Sequence, residues 1–83
     1  MKIISTYING VIIFEPNVHK DTRGFFLESW NKSIFNNLTN LDVEFVQDNL
    51  SRSSKHVIRG LHYQLLKPQG KFVKVINGEI LDV

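Results

Sequence analysis

Residues 71–83 read Lys71-Phe72-Val73-Lys74-Val75-Ile76-Asn77-Gly78-Glu79-Ile80-Leu81-Asp82-Val83. Side chains alternate along a strand, so Lys71, Val73 and Val75 share one side of an extended chain. An Asn-Gly pair between apolar runs is the strongest short-range hairpin signal, because both residues accept the positive φ of a tight turn. The stretch predicts two antiparallel strands, 71–76 and 79–83. The second ends with the sequence itself. An apolar edge of this kind needs a pairing partner, and the reading is of a domain truncated at its C-terminal end, the alternative being a natural terminus paired into a dimer.

Working outward, Pro68-Gln69-Gly70 is a turn, 57–64 a further strand, and 51–55 a polar loop. In 43–49, Phe45, Gln47 and Asn49 fall on one face of an extended chain. Residues 7–14 (Tyr-Ile-Asn-Gly-Val-Ile-Ile-Phe) and the apolar stretch 25–30 read as strands. Pro16-Asn17 and Lys20-Asp21-Thr22-Arg23-Gly24 carry turn chemistry. Asn31 is placed to cap a helix with Ile34, Phe35 and Leu38 on its apolar side. Asn36, Asn37, Thr39 and Asn40 keep that helix short, near 31–39. The expected class is mainly β, antiparallel, with one short helix. The strands are too few to close a sandwich or barrel.

With 83 residues the chain is one small domain whose core is marginal without a partner or another staple. No cysteine is present, so disulfides and cysteine metal sites are excluded. Met1-Lys2-Ile3-Ile4-Ser5-Thr6-Tyr7 lacks the apolar run of a secretory signal, and no stretch approaches the roughly 20 apolar residues of a membrane helix. A soluble, cytoplasmic protein is expected. Formal net charge is +2, but no acidic residue lies between Asp48 and Glu79, where Arg52, Lys55, Arg59, Lys67, Lys71 and Lys74 fall. A one-sign segment suits an anionic ligand such as a nucleotide, or is simply a solvated basic face. Aromatics beside lysines (Phe45, Tyr63, Phe72) raise nucleic-acid stacking as a reading. The order of the motifs below explains the same residues better, and no nucleic-acid or membrane partner is expected.

His62 stands in Arg59-Gly60-Leu61-His62-Tyr63-Gln64. Nearby cations disfavour protonation of an imidazole and keep it available as a general base. Arg59 can hold an anion bidentately, and Lys71 lies across a short turn. On a flat strand Arg59 and His62 would point to opposite faces. Gly60 permits a bulge that re-aims one of them. The bland alternative for His62 is a structural hydrogen-bonder. Asp21-Thr22-Arg23-Gly24-Phe25-Phe26-Leu27-Glu28 is a second constellation, otherwise an ordinary turn with a surface arginine. Gln47 and Asn49 can together hydrogen-bond a base edge or sugar hydroxyls, or be a solvated strand face. The nearest approach to a His-x-His metal pair is His62-Tyr63-Gln64, without a second histidine or a nearby carboxylate, so no metal is expected. No phosphate loop, dinucleotide fingerprint or nucleophile elbow is present.

Taken in order, Asp21-x-Arg23-Gly24-Phe25-Phe26-x-Glu28, Phe45-Val46-Gln47-Asp48-Asn49-x-Ser51-x-Ser53, Arg59-Gly60-Leu61-His62-Tyr63-Gln64, Gln69-Gly70-Lys71, and Gly78-Glu79 with Asp82-Val83 resemble the first half of dTDP-4-dehydrorhamnose 3,5-epimerases. The resemblance runs from Ile12 to Val83. It implies an incomplete cupin jelly roll that works without metal or cofactor, as a homodimer with exchanged N-terminal strands. The implied substrate is a dTDP-4-keto-6-deoxyhexose, epimerised at C3 and C5 on the way to dTDP-L-rhamnose. On the matching positions His62 is the base and Lys71 stabilises developing negative charge. Arg23, Arg59, Glu28, Gln47 and Asn49 bind substrate. The family's proton donor, a tyrosine, and the carboxylate that orients the histidine belong to its second half. Neither Tyr7 nor Tyr63 stands at the matching position. The resemblance therefore implies a fragment short of full activity, or one that holds a sugar nucleotide or pairs with another chain without turnover.

Overall fold

Two β-hairpin-like sheets and a helix carry the regular structure. The structure is a computed structural model, and it describes residues 1–6 and 8–83. Tyr7, the first residue of the expected strand 7–14, lies outside the described residues. Elements run β1 (Lys2–Ser5), β2 (Ile13–Glu15), β3 (Val18–Asp21), β4 (Gly24–Leu27) and α1 (Lys32–Thr39). The strands form two antiparallel sheets, β1–β2 and β3–β4. This mainly β class with one short helix is consistent with part of a cupin-like β fold. The chain divides into two compact units, residues 1–50 and 51–83.

In the first unit, β1 pairs Lys2 with Glu15 and Ile3 with Phe14, then shifts register so that Ser5 faces Ile13. One extra residue on β1 is a bulge, which bends and twists the strand locally. Lys2 Nζ lies 3.1 Å from Glu15 Oε2 across the same pair. The sequence reading did not anticipate β1, whose apolar content is only Ile3 and Ile4. Of the described residues 8–14 of that expected strand, only 13–14 joins a sheet. Residues 8–11 instead close a turn, with Val11 N–H donating to the Ile8 carbonyl at 2.8 Å. The second sheet is a tight hairpin, in register from Val18 opposite Leu27 to Asp21 opposite Gly24. It turns at the Asp21–Gly24 segment expected to turn. Phe25 and Phe26 are each 71% exposed, so neither face of this hairpin meets a core within the unit.

The helix forms as its sequence dictates. Asn31 sits in extended backbone and its Oδ1 accepts from the Ile34 N–H at 3.0 Å, satisfying one orphan donor of the first turn. Such a cap contributes about 1 kcal/mol. At the other end Asn40 adopts a left-handed conformation (φ 55°) that stops the helix. Thr39 Oγ1 donates back to the Phe35 carbonyl at 2.8 Å, and Asn36 Oδ1 accepts from Val43 N–H at 3.3 Å, tying the following chain to the helix. Among the described residues Phe35 is the buried one, 6% exposed. Its ring centroid lies 4.9 Å from Trp30, 5.4 Å from Phe14 and 5.9 Å from Phe45. Trp30 and Phe45 meet edge-on at 5.1 Å. This four-ring cluster is the core of the first unit. It joins β2, the approach to α1 and the chain beyond it.

The expected strands 43–49, 57–64, 71–76 and 79–83 do not form among the described residues, and Asn77-Gly78 is a bend rather than a hairpin turn. The physical reason is common to all four. Alternation fixes which side chains share a face, but a strand exists only as part of a ladder. An isolated two-stranded hairpin is marginal in water, whatever its turn residues. No ladder partner pairs with these segments within either unit. Many of their apolar side chains stay open, among them Val46 (90% exposed) and Ile58 (91%), whereas Phe45 packs in the aromatic cluster. Among the described residues no helix is long and apolar enough to cross a membrane.

Candidate functional site

Three of the seven candidate residues lie in the second unit, and two of them, Arg59 and Lys71, are held by hydrogen bonds within it. Arg59 Nε donates to Ser53 Oγ and its Nη2 donates to the Arg52 carbonyl, both at 2.8 Å. Both acceptors are uncharged. The guanidinium is thus aimed by hydrogen bonds without its charge being neutralised, and three of its five N–H donors remain for a ligand. Lys71 is held in the same manner. Its Nζ donates to Gln69 Oε1 at 2.7 Å, and Gln64 closes the arrangement. Gln64 Nε2 donates to the same Gln69 oxygen at 3.2 Å, while Gln64 Oε1 accepts from the Gln69 N–H at 2.8 Å. The two amide side chains thus pin the chain across a bend at 65–67, upstream of the turn expected at Pro68-Gln69-Gly70, with the lysine beyond it.

His62 is exposed and makes no hydrogen bond among the described residues. Its imidazole turns back over residue 60. A β-carbon built there would sit 3.7 Å from His62 Nδ1 and 3.6 Å from the His62 backbone nitrogen. Gly60 has φ +127°, a conformation that L side chains rarely adopt. Glycine thus permits the backbone geometry, while the strand bulge anticipated at this position does not form, because 57–64 joins no ladder among the described residues. No hydrogen bond joins Arg59, His62 and Lys71 to one another among the described residues.

The other four candidates belong to the first unit. Arg23 occupies the β3–β4 turn and is clasped by Asp21. Its backbone N–H donates to Asp21 Oδ1 at 2.8 Å, its Nη2 to Oδ2 at 2.6 Å and its Nε to Oδ2 at 3.1 Å. The Arg23 guanidinium, seconded by the backbone N–H groups of Arg23 and Gly24, holds the Asp21 carboxyl below its ordinary value of 3.8. The Asp21 carboxylate in turn raises Arg23. A shallow open groove beside this pair is lined by His19, Lys20, Phe25 and Phe26. Gln47 Nε2 donates to Asn49 Oδ1 at 3.1 Å, so the two amides expected to share a face do meet, although their backbone is in no sheet. Glu28 follows β4, exposed and without a hydrogen bond or ion pair among the described residues.

The Asp21 clasp has a pH signature. A carboxylate depressed in the folded state contributes stability that is fully present above its unfolded pKa and is lost as pH falls through the folded value. Titration of the Asp21 side-chain carboxyl by NMR is expected to show a midpoint below 3.8, moving up toward 3.8 in Arg23→Gln. A midpoint unmoved by that substitution would remove the clasp from the account.

The bracing groups were missed at the sequence level. Ser53, Gln64 and Gln69 stand within the motifs, but their roles depend on side chains meeting five to seven residues apart through an irregular loop. No periodicity reports such meetings. Among the described residues no three His, Cys, Asp or Glu side chains gather as metal ligands do.

Similarity to known proteins extends over nearly the whole chain. Residues 5–83 match the family model described as dTDP-4-dehydrorhamnose 3,5-epimerase. A protein of that name from Methanothermobacter thermautotrophicus is 54% identical over 82 residues, spanning 99% of this chain and 44% of the relative. One from Shigella flexneri is 54% identical over 85 residues, spanning 100% and 46%. One from Escherichia coli is 50% identical over 84 residues, spanning 100% and 45%. The chain thus spans less than half the length of these curated relatives. No solved structure matches it. The matched region covers nearly the whole chain, and the chain belongs to the dTDP-4-dehydrorhamnose 3,5-epimerase family.

Proposed function

We propose that this chain is the N-terminal portion of a single cupin-like epimerase domain, and that it carries the base side of a sugar-nucleotide site. The substrate is a dTDP-4-keto-6-deoxyhexose, and the product lies on the way to dTDP-L-rhamnose. His62 takes a proton from carbon next to the C4 ketone, at C3 and at C5, and the electron pair moves onto the ketone oxygen as an enolate. A C–H bond is acidic enough for this only when that oxygen's developing charge is stabilised. Lys71 supplies the positive charge. Arg59 and Arg23 hold diphosphate or sugar oxygens, and Glu28, Gln47 and Asn49 complete substrate contact. Return of a proton to the opposite face needs an acid, for which this chain offers no residue at the family's position. Two copies exchanging N-terminal strands, in the cytoplasm, form the working unit. The chain alone falls short of full double epimerisation.

The observation that carries the reading is how the second unit's cations are held. Arg59 and Lys71 are braced by a hydroxyl, a carbonyl and an amide oxygen, and by no carboxylate. Arg23, by contrast, already shares its charge with the Asp21 carboxylate. Cations aimed by neutral groups keep their charge for an anion.

Calorimetric titration with thymidine diphosphate tests this. The nucleotide is expected to bind, and thymidine not to. Arg59→Ala is expected to weaken binding by roughly tenfold or more, the value of a charge-assisted hydrogen-bond pair. Equal affinity in the variant would take Arg59 out of the site.

A further inference from the structure

The Asn77-Gly78 pair, which the fold leaves outside any hairpin, has a chemistry of its own. We infer that Asn77 is a site of spontaneous backbone-assisted deamidation, a covalent modification independent of the proposed catalytic function.

The reaction needs the backbone nitrogen of the following residue to reach the asparagine side-chain carbonyl carbon. Three features of the structure favour it at Asn77. First, the successor is glycine, which has no β-carbon to block the approach; a β-carbon built at Gly78 would meet nothing within 4 Å. Second, both residues are exposed and lie in a bend with no ladder to hold them. Third, the Asn77 amide makes no hydrogen bond among the described residues, so its rotamers are not restrained. The Gly78 N–H is likewise absent from any backbone hydrogen bond of the loops.

The other asparagines of the chain are disfavoured one by one. Asn9 alone of them also precedes glycine, but it is a central residue of the turn closed by the Val11 N–H and the Ile8 carbonyl at 2.8 Å. Asn31 is engaged as the helix cap, Asn36 accepts from Val43, and Asn49 accepts from Gln47. Asn37 lies within α1, where the helical backbone keeps the next nitrogen turned away. Asn17, Asn40 and Asn49 precede the branched residues Val18, Leu41 and Leu50.

The step balances without any further reagent than water. The Gly78 nitrogen gives up its proton and attacks Asn77 Cγ. A C–N bond forms, the bond to Nδ2 breaks, and ammonia leaves. Water then opens the five-membered imide at either carbonyl. One opening gives aspartate; the other gives isoaspartate, with the main chain rerouted through the side-chain carbon. Either product turns a neutral amide into a carboxylate and lowers the formal net charge of +2 by one unit. The new charge falls between Lys74 and Glu79, at the edge of a stretch that otherwise has no acid back to Asp48.

The test is incubation of the 83-residue chain in mildly alkaline buffer, with peptide mapping by mass spectrometry at intervals. The peptide holding Asn77 is expected to convert first, to both aspartate and isoaspartate, and several-fold faster than the peptide holding Asn49. Gly78→Ala is expected to slow conversion several-fold. Conversion at Asn77 no faster than at Asn49, conversion at Asn9 ahead of Asn77, or an unchanged rate in Gly78→Ala would each overturn the inference.

Discussion

His62→Asn is expected to slow exchange of the substrate's C3 and C5 protons by about a hundredfold or more, since a positioned general base is worth roughly 10²–10⁴ in rate. Asparagine keeps polarity and much of the imidazole's size but has no titrating nitrogen at neutral pH. Thymidine diphosphate affinity should change little, because the base acts on the sugar ring. The pair of readouts separates chemistry from binding. Weakened binding with a normal exchange rate at saturation would make His62 a ligand-holding residue and vacate the role of base. Gly60 offers a second handle on the same group. Any side chain there would have to take up a backbone conformation foreign to it, at φ +127°, so Gly60→Ala should shift the backbone that carries His62 and lower exchange in the same direction.

Phe35→Ala is expected to unfold the first unit. Phe35 is its buried residue, at the centre of a cluster with Trp30, Phe14 and Phe45. Truncating a buried phenylalanine to alanine costs about 3–5 kcal/mol. A core in a scaffold this small rarely supplies more than about 3–5 kcal/mol in all. The loss is therefore comparable with the whole stability of the unit. Far-ultraviolet circular dichroism should lose the α1 signal, and Trp30 emission should shift toward that of solvated indole. Phe35→Leu, which keeps an apolar side chain among the rings, should retain both. Trp30 emission unchanged in Phe35→Ala would mean that the cluster does not hold this unit together.

Parts of this architecture can be read from the chain and parts cannot, and the division is physical. The helix at 32–39 is legible because its determinants are local: Asn31 caps it, and Phe35 and Leu38 fall on one side at helical spacing. The β3–β4 turn is legible for the same reason, since Asp21 and Arg23 act on each other across two residues. The aromatic core is less so. Trp30 and Phe14 meet Phe35 through the path of the chain, which no periodicity encodes. Residues 57–64 and 71–83 carry strong strand patterns, yet pattern states only which residues would share a face. It says nothing of where the ladder partner is. The same split runs through the site. Strand parity put Gln47 and Asn49 on one face, and their amides do meet, although no strand forms there. It could not foresee that Ser53 and the Arg52 carbonyl would aim Arg59, or that Gln64 and Gln69 would seat Lys71.

The central claim is that the chain carries the base of a sugar-nucleotide epimerase. Proton NMR of the 83-residue chain with dTDP-4-keto-6-deoxyglucose in D₂O tests it most directly. The account predicts loss of the C3 and C5 proton signals faster than in buffer alone, with the excess rate removed by His62→Asn. Signals that persist at the buffer rate while the nucleotide sugar is demonstrably bound would contradict it, and would make the chain a sugar-nucleotide-binding or pairing module without turnover.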